Sequence, residues 1–78
     1  MEELLQEVNL IFREVLEKPS LEIILESSAQ DIDNWDSLNH VILIAAIENK
    51  FNISFELDEM IEFKNVGDIL NAIQSKTG

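Results

Sequence analysis

Residues 33 to 51 read DNWDSLNHVILIAAIENKF, and the reading of this stretch decides the fold. The run from residue 37 to residue 50 has no glycine or proline to break it. Val41 to Ile44 is rich in β-branched residues, which on their own favour a strand. Length without a breaker favours a helix. So does Asp36, whose carboxylate can accept backbone N–H groups of a first helical turn. The stretch therefore predicts a helix from about Ser37 to Lys50, with Asp36 as its N-cap.

That helix has an unusual surface. Val41 to Ile47 are apolar without interruption, so they point in every direction around the axis. A bundle helix needs only an apolar stripe. Leu38, Val41, Ile42 and Ala45 share one face at i, i+3, i+4, i+7 spacing. Leu43, Ile47 and Phe51, with part of Ile44 and Ala46, share another. The second set runs on into the apolar loop after Phe51, which predicts that it is core. The first set begins beside Ser37, which predicts an exposed docking surface. The plainer reading is that the whole helix is central core, since apolar positions are more often buried than not.

The rest of the chain supplies partners for this helix. Leu4, Leu5, Val8, Ile11, Phe12, Val15 and Leu16 fall at helical spacing, predicting a first helix from Glu2 to Glu17 that Pro19 stops. A long connection follows, in which Leu21, Ile23, Ile24 and Leu25 suggest one packed turn of helix. Ile32 and Trp35 are its expected anchors. Ile53, Ser54 and Phe55 read as extended. A short helical turn is expected near Asp58 to Ile61, then a loop at Phe63 and Lys64. A last helix opens at Asn65-Val66-Gly67-Asp68, with Asn65 as N-cap and Asp68 placed for a capping box. Its apolar face is Val66, Ile69, Leu70 and Ile73. The expected class is all-α: a small four-helix bundle, three main helices and one short one, with a long first loop, as a single domain over 1–78.

Seventy-eight residues bury only about 60% of their unfolded surface. There is no cysteine, so neither a disulfide nor a thiolate site is available, and one histidine, His40, cannot build a zinc cage. Packing must hold the fold, and an apolar content of 46% allows it. The net charge of −11 argues against nucleic acid and anionic membranes and favours proteins with basic patches. No run is long and apolar enough to span a bilayer, and the opening MEELLQEVNL is acidic rather than signal-like, so a cytoplasmic monomer is expected. Asp31, Asp33 and Asp36 do not make an EF-hand loop, because the central glycine is missing and the closing position is Ile42.

Ser37 is the residue that asks for a role. As a nucleophile it would need a base and an orienting acid. His40 lies three residues on along the same helix, and no pocket is implied, so a catalytic pair is improbable and the chain is not expected to be an enzyme. His40 is expected to face a partner or solvent. Either Ser37 is a plain first-turn residue or its hydroxyl is presented for modification, and a phosphate ester there would meet the N–H groups of a helix N-terminus.

The motif Asp36-Ser37-Leu38, within Trp35-Asp36-Ser37-Leu38-Asn39-His40-Val41, resembles the attachment site of the acyl carrier protein family. Ile47-Glu48 with Phe51-x-Ile53, and Val66-Gly67-Asp68-Ile69, resemble further segments of that family in the same order. The resemblance implies a 4′-phosphopantetheine arm on Ser37, with Asp36 as the adjacent motif acid. It implies a phosphopantetheinyl transferase and acyl-loading and acyl-processing enzymes as partners. It implies a cargo held as a thioester, in a specialised acyl, polyketide-like or fatty-acid-related pathway. An aminoacyl or peptidyl carrier fits the same motif, as does a non-carrier interaction module of the same fold. The expected partner surface is Leu38, Asn39, Val41, Ile42 and Ala45, with Glu48, Glu56, Asp58, Glu59 and Glu62 as acidic contacts. Asn39 and Ile42 stand where the family often has acids, which points to a dedicated partner set.

Overall fold

The structure, a computed structural model, describes residues 2–77. Its elements are α1 (Glu2–Val15), α2 (Ser37–Phe51), α3 (Leu57–Glu62) and α4 (Val66–Thr77), with no strand among the described residues. The all-α bundle expected from the sequence is the fold observed. Each boundary has a local cause. α1 closes with Lys18 N–H donating to the Arg13 carbonyl and Glu17 N–H to the Glu14 carbonyl, around Glu17 at φ 57°. This is the helix ending that usually takes glycine. α2 closes the same way on Asn52, at φ 56°, with Ile53 N–H reaching the Glu48 carbonyl. Asparagine tolerates that left-handed geometry better than most residues.

The core is built from one face of each long helix. α1 gives Val8, Phe12 and Leu16, α2 gives Leu43, Ile44 and Ile47, and α4 gives Val66, Ile69, Leu70 and Ile73. Ile23, Ile32, Trp35 and Phe55 complete it from the connections. α3 contributes no buried residue, and of its apolar side chains only Met60 is partly buried against the core. It is therefore the element held least by packing. The radius of gyration is 11.2 Å, close to the value of about 11.5 Å that chain length alone gives a compact domain. The long first connection must therefore lie against the bundle.

The connection corrects one expectation. Residues 21–24 form no helical turn. Asn9 is the reason. Its amide donates to the Leu21 carbonyl at 3.1 Å and its oxygen accepts from Ile23 N–H at 2.9 Å. Arg13 Nε adds a second bond to the Leu21 carbonyl at 2.6 Å. These side chains take the backbone groups that a helical turn would have used. Period two replaces period 3.6, so Leu21 and Ile23 turn inward while Glu22 and Ile24 are exposed. Further on, the loop caps α4. The Leu25 carbonyl accepts from Gly67 N–H at 2.8 Å and the Ser27 carbonyl from Val66 N–H at 2.9 Å. The approach is so close that a Cβ on residue 67 would lie 3.2 Å from the Leu25 carbonyl oxygen, which explains the glycine.

The start of α4 departs from the expected capping box in one bond. Asn65 Oδ1 accepts from Asp68 N–H at 2.9 Å, as the sequence implies. The Asp68 carboxylate reaches one residue further back, to Lys64 N–H. At α3 the Glu59 carboxylate accepts from Glu56 N–H at 3.0 Å, while Glu59 N–H donates to the Glu56 backbone carbonyl.

Candidate functional site

Ser37 is the first residue of α2 and is exposed. Its hydroxyl makes no hydrogen bond among the described residues. Asp36 precedes it with extended backbone, and its Oδ1 accepts from Asn39 N–H at 2.9 Å. The cap expected from the sequence is therefore present, and Asp36 has a structural task whatever else it does. Replacing Asp36 by alanine should cost about 1 kcal/mol of stability, within a range of roughly 0.5–2, while asparagine should hold within a few tenths. Urea unfolding of both variants checks this. Equal losses in the two would mean that the carboxylate's charge, not its capping oxygen, is what matters.

Ser37 opens on a groove of about 520 Å³ between α2 and α3. Val41 of α2, Leu57, Met60 and Ile61 of α3, and Phe63 and Lys64 of the loop after α3 line it. Among the described residues, Lys64 is the only lysine or arginine lining it. These groove residues of α3 and its following loop were missed at sequence level. The signal was there in Leu57, Met60 and Ile61, an i, i+3, i+4 apolar set on a helix too short to bury it.

Trp35 and His40 also line the groove. The indole N–H of Trp35 donates to His40 Nδ1 at 3.0 Å, and His40 Nε2 lies 3.1 Å from the Met60 carbonyl. Since Nδ1 accepts, the ring hydrogen belongs on Nε2, which donates to Met60. This overturns the expectation that His40 faces partner or solvent. It ties the first connection, α2 and α3 together. The two rings stack at 6.0 Å, Phe12 meets Trp35 edge-on at 5.0 Å, and Phe63 meets His40 edge-on at 6.4 Å. Trp35 is only 5% exposed, so it is the anchor its position suggested.

The apolar face read from the spacing is exposed. Leu38 is 72% exposed, and Val41, Ile42 and Ala45 are exposed on the same side of α2. The structure adds Leu57 and Ile61, the latter 74% exposed. Two of the expected polar contacts are partly occupied within the chain. Asn39 is half-buried and its amide donates to the Asn34 carbonyl at 2.6 Å. Glu48 is half-buried and its Oε2 accepts from Phe55 N–H at 2.7 Å. Glu56, Asp58 and Glu62 are exposed.

Glu59 pairs with Lys76 of α4 at 3.0 Å and accepts from Glu56 N–H at 3.0 Å. The Glu56 amide first, then the Lys76 ammonium, hold its carboxyl below the ordinary glutamate value of 4.5. A folded value lowered in this way adds stability above the unfolded value, and that stability is lost as pH falls through the folded one. Carboxyl NMR should therefore give Glu59 a midpoint below 4.5. Lys76→Met should raise it part of the way, because the Glu56 amide remains. An unchanged midpoint would remove Lys76 from the account.

Comparison with known proteins identifies the family of the chain. Residues 6–73 match the family model described as phosphopantetheine attachment site. The acyl carrier protein of Exiguobacterium sibiricum is 35% identical over 75 residues, covering 96% of this chain and 95% of that protein. The acyl carrier protein of Clostridium acetobutylicum is 41% identical over 56 residues, covering 72% of this chain and 73% of that one. The solution structure of a holo acyl carrier protein from Geobacter metallireducens superposes with a TM-score of 0.86 at 42% identity, over 92% of this chain and 83% of that chain. The chain belongs to the acyl carrier protein family, and the cofactor of its attachment domain is 4′-phosphopantetheine. A free, solvent-facing hydroxyl at the mouth of an apolar groove fits such a group.

Proposed function

We propose that Ser37 bears the phosphopantetheine and that the chain carries acyl groups between enzymes of a specialised acyl, polyketide-like or fatty-acid-related pathway in the cytoplasm. One observation carries the reading: Ser37 is an exposed, unbonded hydroxyl inside the family-matched region, opening on the groove between α2 and α3. In the attachment step, Ser37 Oγ bonds to the pantetheine-side phosphorus of coenzyme A. The pyrophosphate P–O bond breaks, the adenosine bisphosphate leaves, and the hydroxyl proton passes to a base of the transferase. When bound, the group supplies the thiol on which cargo is held as a thioester. The chain's own residues present, tether and dock. The α2 N-terminus favours the new phosphodiester through its free N–H groups, while the Asp36 carboxylate opposes it.

The docking surface joins exposed Leu38, Val41 and Ile42 to Leu57 and Ile61, with Glu56, Asp58 and Glu62 around it. A partner with an apolar patch inside a basic rim matches it. The net charge of −11 steers such a partner from a distance. Tethering then keeps cargo at a high effective concentration once docked.

The absence of cysteine gives a direct test. The native chain holds no thiol. Incubation with coenzyme A and a broad-specificity phosphopantetheinyl transferase should raise the thiol titre from none to one per chain. No thiol, with a transferase active on another carrier, would contradict the reading.

A further inference from the structure

The Ser37 hydroxyl makes no hydrogen bond among the described residues, so its position is set by its neighbours. The tie that closes the loop around it runs through Asn39. The Asn39 backbone N–H donates to Asp36 Oδ1 at 2.9 Å, and its side-chain amide donates to the Asn34 carbonyl at 2.6 Å. Asn34 holds φ 72°, a left-handed geometry that asparagine tolerates better than most residues. Its own amide donates to the Leu16 carbonyl at 3.2 Å, just past the end of α1. The chain of bonds thus runs from α1 through Asn34 and Asn39 to the first turn of α2. Ser37 lies inside this closed span, between buried Trp35 and exposed Leu38 in sequence.

Resting on the reading that Ser37 bears the arm, we infer that Asn39 is a positioning residue for the attachment step: its clasp on Asn34 fixes the loop that presents Ser37 Oγ. Attack on phosphorus needs the reacting atoms about 3–3.5 Å apart and aligned. A loop that is already ordered reaches that geometry without a further entropy cost in the docked complex. The clasp therefore acts on the rate of transfer after docking rather than on docking itself. The sequence places Asn39 on the partner surface, but the clasp turns its amide inward. The donor is what counts. Asn39 is the third residue of α2, where the helix dipole favours an acid. An aspartate there would suit the helix, yet it could not donate to the Asn34 carbonyl, and its charge would face that oxygen. Helix stability and loop order thus point in opposite directions for Asn39→Asp, which lets one variant separate them.

The test follows single-turnover transfer from coenzyme A to the native chain, Asn39→Ala, Asn39→Asp and Asn39→Gln, with the transferase in excess. The maximal rate and the half-saturating transferase concentration are read separately. NMR order parameters of residues 33–37 are the second readout. Asn39→Ala and Asn39→Asp should keep the fold, because Trp35 still anchors the loop in the core and Asp36 still caps α2. Both should keep the native half-saturation and lose about three- to tenfold in maximal rate, the worth of one hydrogen bond. Backbone order at 33–37 should fall in both. Asn39→Gln, which keeps the donor, should recover most of the rate. An Asn39→Asp chain that is loaded as fast as the native one, or effects confined to half-saturation, would make Asn39 a partner contact and overturn the positioning role. Lower order at 33–37 with an unchanged maximal rate would overturn it too, leaving the clasp a structural feature only. If Asn39→Ala does not fold, Asn39→Asp, which the helix dipole supports, decides. A native chain left unloaded by a transferase active on another carrier contradicts the carrier reading, whereas equal maximal rates in the native chain and all the variants contradict the positioning role alone.

Discussion

Ser37→Ala should lose the pantetheine arm completely while keeping its fold. The loss is total because the substitution removes the nucleophilic oxygen itself. The fold is spared because Ser37 is exposed and its hydroxyl bonds to nothing among the described residues. The α2 cap belongs to Asp36, through Asn39 N–H, and does not use Ser37. Alanine is also a good helix former, so α2 should lose nothing measurable. Circular dichroism and thermal melting of the variant should overlay those of the native apo chain within the about ±0.5 kcal/mol of an ordinary surface change. Loading should fall below detection. Loss of both loading and fold would assign Ser37 a structural role that the geometry does not give it.

Trp35→Ala should have the largest effect on stability. The indole is buried against Phe12 and bonded to His40. Replacing a buried aromatic by alanine costs about 3–5 kcal/mol. A chain of 78 residues has a total stability of only about 4–12 kcal/mol on a per-residue basis. At about 4 °C or more per kcal/mol for a domain of this size, the melting temperature should drop by about 12 °C or more. Trp35→Phe should separate the two parts of the effect. It restores most of the apolar volume but leaves His40 Nδ1 without its donor, a loss of about 1–3 kcal/mol. A Trp35→Ala variant that melts within a degree or two of the native chain would mean that the ring is not part of the cooperative core.

The sequence carried the local features and missed the ones decided at a distance. The N-cap at Asp36 depends on residues 36 to 39 alone, and it was legible. So was the division of α2 into a buried face of Leu43, Ile44 and Ile47 and an exposed one of Leu38, Val41, Ile42 and Ala45. What each face adjoins, the apolar loop after Phe51 or Ser37, indicated that division once the helix was granted. The non-helical path of residues 21–24 was not legible, because Asn9, fourteen positions before Ile23, takes its backbone groups. His40 was misread for the same reason. Its second bond goes to the Met60 carbonyl, twenty residues away, and nothing near His40 in the chain announces it. The groove was invisible until α3 was placed, since it exists only between two helices. At the proposed attachment site, motif and geometry coincide. Asp36-Ser37-Leu38 is a local pattern, and the structure leaves its hydroxyl free.

The account rests on Ser37, and fragment-level mass spectrometry tests it most directly. After transfer from coenzyme A, the chain would be digested and each serine-bearing peptide sequenced. The expected result is one phosphopantetheine per chain, borne by Ser37 and absent from Ser20, Ser27, Ser28, Ser54 and Ser75. An arm found on any of those residues, or a fully active transferase that leaves the chain unmodified, would contradict the central claim.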